Sequence, residues 1–130
     1  MKYGTVYRLE NSSNGGGPYC SSVPGGYNYE VYCLVHKKGM QKNHPTPERD
    51  IGRETVKGEF CGFISISQLK RWFCKTDLEF ILSHNFSIMR YENVSIEAVG
   101  KSQCIFKKVD YKTKKTNITD RFRIKEKHES

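Results

Sequence analysis

Arg8 and Glu10 are the first residues in the chain whose types and spacing could do chemistry. They stand two apart in an alternating segment, so they share one strand face and can pair as ions. Directly behind them runs Asn11-Ser12-Ser13-Asn14-Gly15-Gly16-Gly17-Pro18. Glycine at three successive positions lets backbone approach a ligand closely or simply lets the chain turn. An arginine fork beside such a loop could therefore grip a phosphate instead of its own glutamate. Tyr19 follows Gly17-Pro18 and offers a ring that stacks on a base or nicotinamide, or fills core. His44 and Asp50 flank a stretch stiffened by Pro45 and Pro47. Together they could serve general acid–base work, while Asp50 alone could pin a loop or cap a helix.

The elements that must position these residues belong to one domain. The chain has 130 residues, 36% hydrophobic and 28% charged, with eight Tyr, seven Phe and one Trp to fill a core. No run approaches the ~20 apolar residues that cross a bilayer, so no membrane partner is expected. The start, Met1-Lys2-Tyr3-Gly4, lacks the apolar stretch of a secretory signal, and the expected location is the cytoplasm. Cys20, Cys33, Cys61, Cys74 and Cys104 are odd in number and match no zinc spacing, so they read as reduced thiols and no metal site is expected.

Net charge is +8. Between Lys107 and Lys127 nine basic residues face three acidic ones, which concentrates the positive charge at one end. Lys112, Lys114, Lys115, Arg121 and Arg123 are the candidates for contact with an anionic partner, either nucleic acid or an acidic protein face. The alternative is a solvated tail or an edge strand kept soluble by lysine. The expected division is a core over residues 1–109 and a basic extension or edge strand over 110–130.

Lys2 to Glu10 alternates as a strand, and Tyr27 to His36 reads as a short strand or an irregular buried segment. Lys37 to Gly58 reads as a long polar loop. Glu59 to Ile64 is a strand that feeds a helix capped by Ser65. Gln68 completes an S-x-x-Q capping box, its side chain reaching back to the Ser65 amide, with Ile64 and Leu69 as a hydrophobic staple. A second helix is expected from Thr76, boxed by Glu79 and stopped by a left-handed Asn85. Phe86–Glu92, Val94–Val99 and Gln103–Val109 read as strands, Asp110–Thr116 as a turn, and Arg121–Lys125 as a last edge strand. The sum is an α+β domain: a twisted, mostly antiparallel sheet with two short helices.

Several motifs occur together: Tyr7-Arg8-Leu9-Glu10, Gly17-Pro18-Tyr19, His44-Pro45-x-Pro47-x-x-Asp50, Cys61-Gly62-Phe63-x-Ser65-x-x-Gln68-Leu69-x-x-Trp72-Phe73 and Gly100-x-x-Gln103. Over residues 3–108 the chain resembles a family of small phage and prophage proteins. At a coarser level the layout resembles an ADP-ribosyltransferase fold. That second resemblance implies NAD as cofactor, with Tyr7, Arg8 and Tyr19 binding it and Ser65 lining the nicotinamide pocket. Gln103 stands where those enzymes place a catalytic glutamate, with Glu97 as a substitute carboxylate. A neutral amide stabilises a developing oxocarbenium less than a carboxylate does, a loss of several kcal/mol in such sites.

The phage resemblance implies an accessory protein that binds and modulates a host component in the cytoplasm of the infected bacterium, an anti-defence inhibitor needing no cofactor. Its partner would be a host protein or ribonucleoprotein complex. An NAD-dependent ADP-ribosyltransferase and a nucleic-acid-binding module are the alternatives. Gln103 in place of the carboxylate puts the binder first.

Overall fold

A computed structural model describes residues 2–18, 31, 46–109 and 111–121. The fold is α+β. Its strands are β1 (Lys2–Asn11), β2 (Glu59–Gly62), β3 (Phe86–Val99), β4 (Cys104–Lys107) and β5 (Lys114–Asn117). Its helices are α1 (Pro47–Ile51), α2 (Ile66–Trp72) and α3 (Lys75–Leu82). All ladders are antiparallel, in the order β1-β3-β4-β2, with β5 also pairing β3. β4 and β5 lie along the same side of β3, one beyond the other, because Ser95–Val99 pairs β4 and Met89–Glu92 pairs β5.

The sheet curls until its ends meet. Tyr7 and Phe63 exchange both backbone hydrogen bonds at 2.7 Å, joining β1 to the end of β2. Gly62 makes that seam possible. A Cβ there would lie 2.5 Å from Val6 Cγ1, 2.9 Å from the Tyr7 carbonyl oxygen and 3.1 Å from the Phe106 ring. Val6, Tyr91, Val94, Cys104 and Phe106 fill one side of the curled sheet, with Phe60, Met89 and Ile96 against them. The other side carries the helices. Leu9, Phe63, Leu69, Trp72, Phe73, Ile81, Phe86 and Ile88 pack there, and the Phe63 ring lies tilted against Trp72 and edge-on to Phe73, with centroids 5.5 and 6.2 Å apart.

The two strands expected over Phe86–Glu92 and Val94–Val99 are one strand bent by two bulges. At Asn93 (φ 61) the β1 register shifts, so the face that carries odd-numbered Met89 and Tyr91 carries even-numbered Val94 and Ile96 beyond it. Asparagine tolerates this left-handed backbone. At Glu97 a second shift leaves one extra residue between the pairs Ile96↔Phe106 and Ala98↔Ile105.

Helix α2 begins where expected. The Ser65 hydroxyl accepts the Gln68 N–H at 3.0 Å. The Gln68 side chain reaches one residue further than the expected Ser65 amide: its Oε1 accepts from the Ile64 N–H at 3.0 Å, and its Nε2 donates to the Lys101 carbonyl at 3.2 Å. Ile64 is 43% exposed while Leu69 is fully buried, so burial at the staple positions is one-sided.

Helix α3 starts at Lys75, not after Thr76, and its N-cap Cys74 makes no side-chain cap bond. Phe73 ends α2 in extended backbone and is buried in the core, so only Phe73 and Cys74 lie between the two helices. Leu78, Ile81 and Leu82 form the expected buried stripe, and Asn85 is left-handed at φ 66.

Three further segments differ from the sequence reading. The loop over 37–58 contains α1, opened by Pro47 with Thr46 as N-cap and closed by left-handed Gly52. Lys114–Asn117, expected mostly as turn, is the strand β5. Arg121 lies in a helical turn beginning at Thr119, not in an edge strand; Arg123 and Lys125 fall outside the described residues. Within Tyr27–His36 only Val31 is described, helical and fully buried.

Glu59 anchors the start of β2. Arg53 donates to both its carboxylate oxygens at 2.8 and 2.9 Å, and the Val56 N–H adds a bond at 2.9 Å. The guanidinium first, then that backbone bond, holds the Glu59 pKa at about 2. A folded-state pKa below the ordinary 4.5 means this stabilisation is complete above about pH 4.5 and is lost as pH falls toward 2. Melting curves between pH 6 and pH 2 should show Glu59→Gln less stable than the native chain near neutrality and shallower in its acid decline. Parallel curves would contradict the pairing.

Candidate functional site

Alternation along β1 sends Tyr7 toward the helices and Arg8 to the opposite side. Arg8 is held by the protein itself through Nη1 and Nε. Its Nη1 donates to Glu10 Oε2 at 2.6 Å and to the Gly15 carbonyl at 2.8 Å. Its Nε donates to the Cys61 carbonyl at 3.2 Å, and its guanidinium lies 5.2 Å from the Phe60 ring centre. The glycine loop thus folds back onto Arg8.

Glu10 is 3% exposed and is the hub of the cluster. Besides Arg8, it accepts a short hydrogen bond from the Tyr91 hydroxyl, and its Oε1 lies 2.9 Å from Lys115 Nζ. Burial opposes its charge, but the Tyr91 hydroxyl, Arg8 and Lys115 outweigh that penalty and hold its pKa below the ordinary range. The same burial and the Glu10 contact push the Tyr91 hydroxyl upward, so it stays protonated and donating. Lys108 completes the cluster, its ammonium 4.6 Å from the Phe60 ring centre and 5.2 Å from that of Tyr91. Burial of that ammonium, with repulsion from Lys115 and Arg8, lowers its pKa against the pull of Glu10. Three cations therefore surround one carboxylate and two aromatic faces, and the balance is positive.

A second cluster lies at the β3–β4 turn. Asp50, on α1, accepts from three successive backbone N–H groups: Lys101 at 2.9 Å, Ser102 at 3.1 and 3.2 Å, and Gln103 at 3.0 Å. Gly100 admits the carboxylate, since a Cβ there would sit 2.7 Å from Asp50 Cγ. Gln68 ties α2 to the same turn through Lys101. Asp50 thus pins the turn, one of the two roles expected of it. Asp50→Ala strips a charged acceptor from three amides and should cost about 1.5–3 kcal/mol, read as a lower midpoint in urea unfolding. An unchanged midpoint would contradict that role.

The expected NAD-site residues fall into these separate groups. Arg8 belongs to the Glu10 cluster. Ser65 caps α2, and Gln103, 5% exposed, belongs to the Asp50 turn. Glu97 is the exposed bulge residue of β3. It accepts a short bond from Ser95 and lies 4.0 Å from Lys107 Nζ. Tyr19 and His44 lie outside the described residues. The Gln68–Lys101 bond ties the Ser65 cap to the Asp50 turn, and the Tyr7–Phe63 bridge and the Arg8–Cys61 bond join β1 to the end of β2.

Among the described residues no three His, Cys, Asp or Glu side chains come together as a metal site, and no helix is long and apolar enough to cross a membrane. Burial raises the Cys61 thiol to about 11 and the Cys104 thiol to about 12, so neither is an active nucleophile at neutral pH.

The basic residues are disposed differently from a free tail. Lys112, Lys114 and Lys115 lie on and beside β5, at the edge of the sheet, and all are exposed. Lys115 is committed to Glu10 and Lys112 lies 5.7 Å from the Tyr3 ring centre. Arg121 is exposed one turn beyond β5.

The profile of the Bacteriophage T4 Y00F protein family matches residues 1–119. The chain belongs to that family. No curated protein and no solved structure matches it, so the comparisons lend no support to the ADP-ribosyltransferase resemblance. The family match takes in β5, which lies beyond residue 109 and is hydrogen-bonded to β3.

Tyr91, Phe60 and Lys108 were not anticipated as site residues. The available signal was Tyr91 itself: a tyrosine on an alternating strand whose hydroxyl requires a partner once buried.

Proposed function

We propose that this member of the Y00F family is a phage accessory protein that acts by binding, holding an anionic host macromolecule against the lysine-bearing edge formed by β5 and the turn before it. The observation that carries this reading is the contrast between its cations. Arg8 is turned inward and held by Glu10, Gly15 and Cys61, whereas Lys112 and Lys114 are exposed two residues apart, one in the turn and one at the start of the hydrogen-bonded edge strand. Clustered lysines on a rigid edge raise the local potential and steer an anionic partner.

The test is affinity capture from infected host cells with the native chain and with K112E/K114E. The native chain should recover a defined host component at low salt and release it at high salt, and the charge-reversed chain should recover little. Equal recovery by both chains would overturn the proposal.

A further inference from the structure

Tyr111 is fully exposed, at the tip of the turn between β4 and β5, and its backbone is left-handed at φ 51. A bulky residue seldom adopts that conformation, and a free loop would relax from it. Here the turn is locked. The Val109 N–H donates to Thr113 Oγ1 at 2.6 Å, and the same hydroxyl donates to the Asn93 carbonyl at 3.1 Å. The N–H groups of Lys112 and Thr113 both donate to the Val109 carbonyl, at 3.1 and 2.9 Å. Asn93, the bulge residue of β3, thereby fixes the turn that presents Tyr111.

The ring stands in a run rich in cations. Residues 107–115 carry five lysines and one aspartate. A second ring, Tyr3, is 52% exposed with the Lys112 ammonium 5.7 Å from its centre. Tyr3 pairs Ser95, and Ser95 pairs Lys107, so Tyr3 and Lys107 share one cross-strand row.

We infer that this turn is a stacking platform for single-stranded nucleic acid, with the Tyr111 ring taking a base and Lys107, Lys112 and Lys114 taking the phosphates. The inference rests on the proposed anionic partner and names its chemistry. An acidic protein face would satisfy the lysines and leave the projecting ring without a role. A single strand offers both phosphate charge and unpaired base faces, and base–aromatic stacking tolerates any sequence. In duplex nucleic acid the base faces are already stacked on one another.

The experiment measures fluorescence anisotropy of labelled oligothymidylate and oligouridylate of about fifteen nucleotides with the full chain. Both should bind, with affinity falling steeply as salt rises. Tyr111→Ala should weaken binding about 5- to 150-fold, while Tyr111→Phe, which keeps the ring, should bind like the native chain. K112A/K114A should flatten the logarithmic salt slope by about 1.4 for two lost phosphate contacts. Thermal melts should show Tyr111→Ala folded like the native chain, because the ring makes no contact with the core. Equal binding by Tyr111→Ala and the native chain would overturn the stacking platform. A chain that binds polyglutamate but neither oligonucleotide would overturn this inference and leave the broader proposal standing. A chain that binds none of the three would overturn both.

Discussion

Replacing Glu10 with alanine is expected to lower the melting temperature by roughly 10–20 °C. Glu10 is nearly inaccessible and is the one carboxylate that holds Arg8, Tyr91 and Lys115 together. Without it the Arg8 guanidinium remains inside the curled sheet with only backbone carbonyls and a ring face, and Tyr91 loses its acceptor. Removing one partner of a buried pair costs about 3–5 kcal/mol, because the surviving charge stays desolvated. Lys115 is half exposed and adds little to that figure. Differential scanning calorimetry of the native chain, Glu10→Ala and the double variant R8L/E10L separates the causes. The double variant removes both charges and should be markedly more stable than Glu10→Ala. A melting temperature for Glu10→Ala within about 3 °C of the native value would show that Arg8 is not charge-compensated by Glu10.

Gly62→Ala is expected to be about as damaging. The added methyl would meet Val6 on one side, the Phe106 ring on another and the Tyr7 carbonyl in front. The side chains can shift, but the carbonyl belongs to the Tyr7–Phe63 bridge that closes the sheet. Overpacking of a dense core costs about 1–3 kcal/mol, and opening the backbone bridge adds the loss of two hydrogen bonds of about 1 kcal/mol each. Urea unfolding should show a fall of about 3–5 kcal/mol in stability, and hydrogen exchange should show the Tyr7 and Phe63 amides deprotected first. Native-like protection at those two amides would contradict the closed seam.

Much of the frame was legible in local patterns. The alternation in β1, the apolar run into Ser65 and the Leu78-Ile81-Leu82 stripe each contain their own periodicity, so strand and helix could be read without neighbours. The Ser65 cap was legible because its two partners lie three residues apart. The second capping box failed for a tertiary reason: burial of Phe73 ends α2 early and fixes the start of α3, whatever Thr76 and Glu79 prefer locally. The division of β3 into two strands failed because a bulge at Asn93 reverses the alternation without ending the strand.

The site was less legible than the frame. Arg8–Glu10 was visible as a spacing of two, but Tyr91 and Lys115 come from strands far along the chain and meet Glu10 only once β1, β3 and β5 are in register. Asp50 was visible as a polar residue after two prolines. Its actual targets, the amides of Lys101 to Gln103, are about fifty residues away and carry no mark in sequence. The basic stretch was legible as composition, and only the pairing of β5 with β3 turns part of it from a tail into an edge.

The central claim is that the inward arginine serves the fold and the outward lysines serve the partner. The most direct measurement is the affinity of the captured host component for two variants, Arg8→Ala held below its own melting temperature and K112E/K114E. The predicted result is native affinity for the first, despite a lower melting temperature, and lost affinity for the second with native stability. Lost affinity in well-folded Arg8→Ala with K112E/K114E still binding would contradict it, and would place the binding surface at the Glu10 cluster instead.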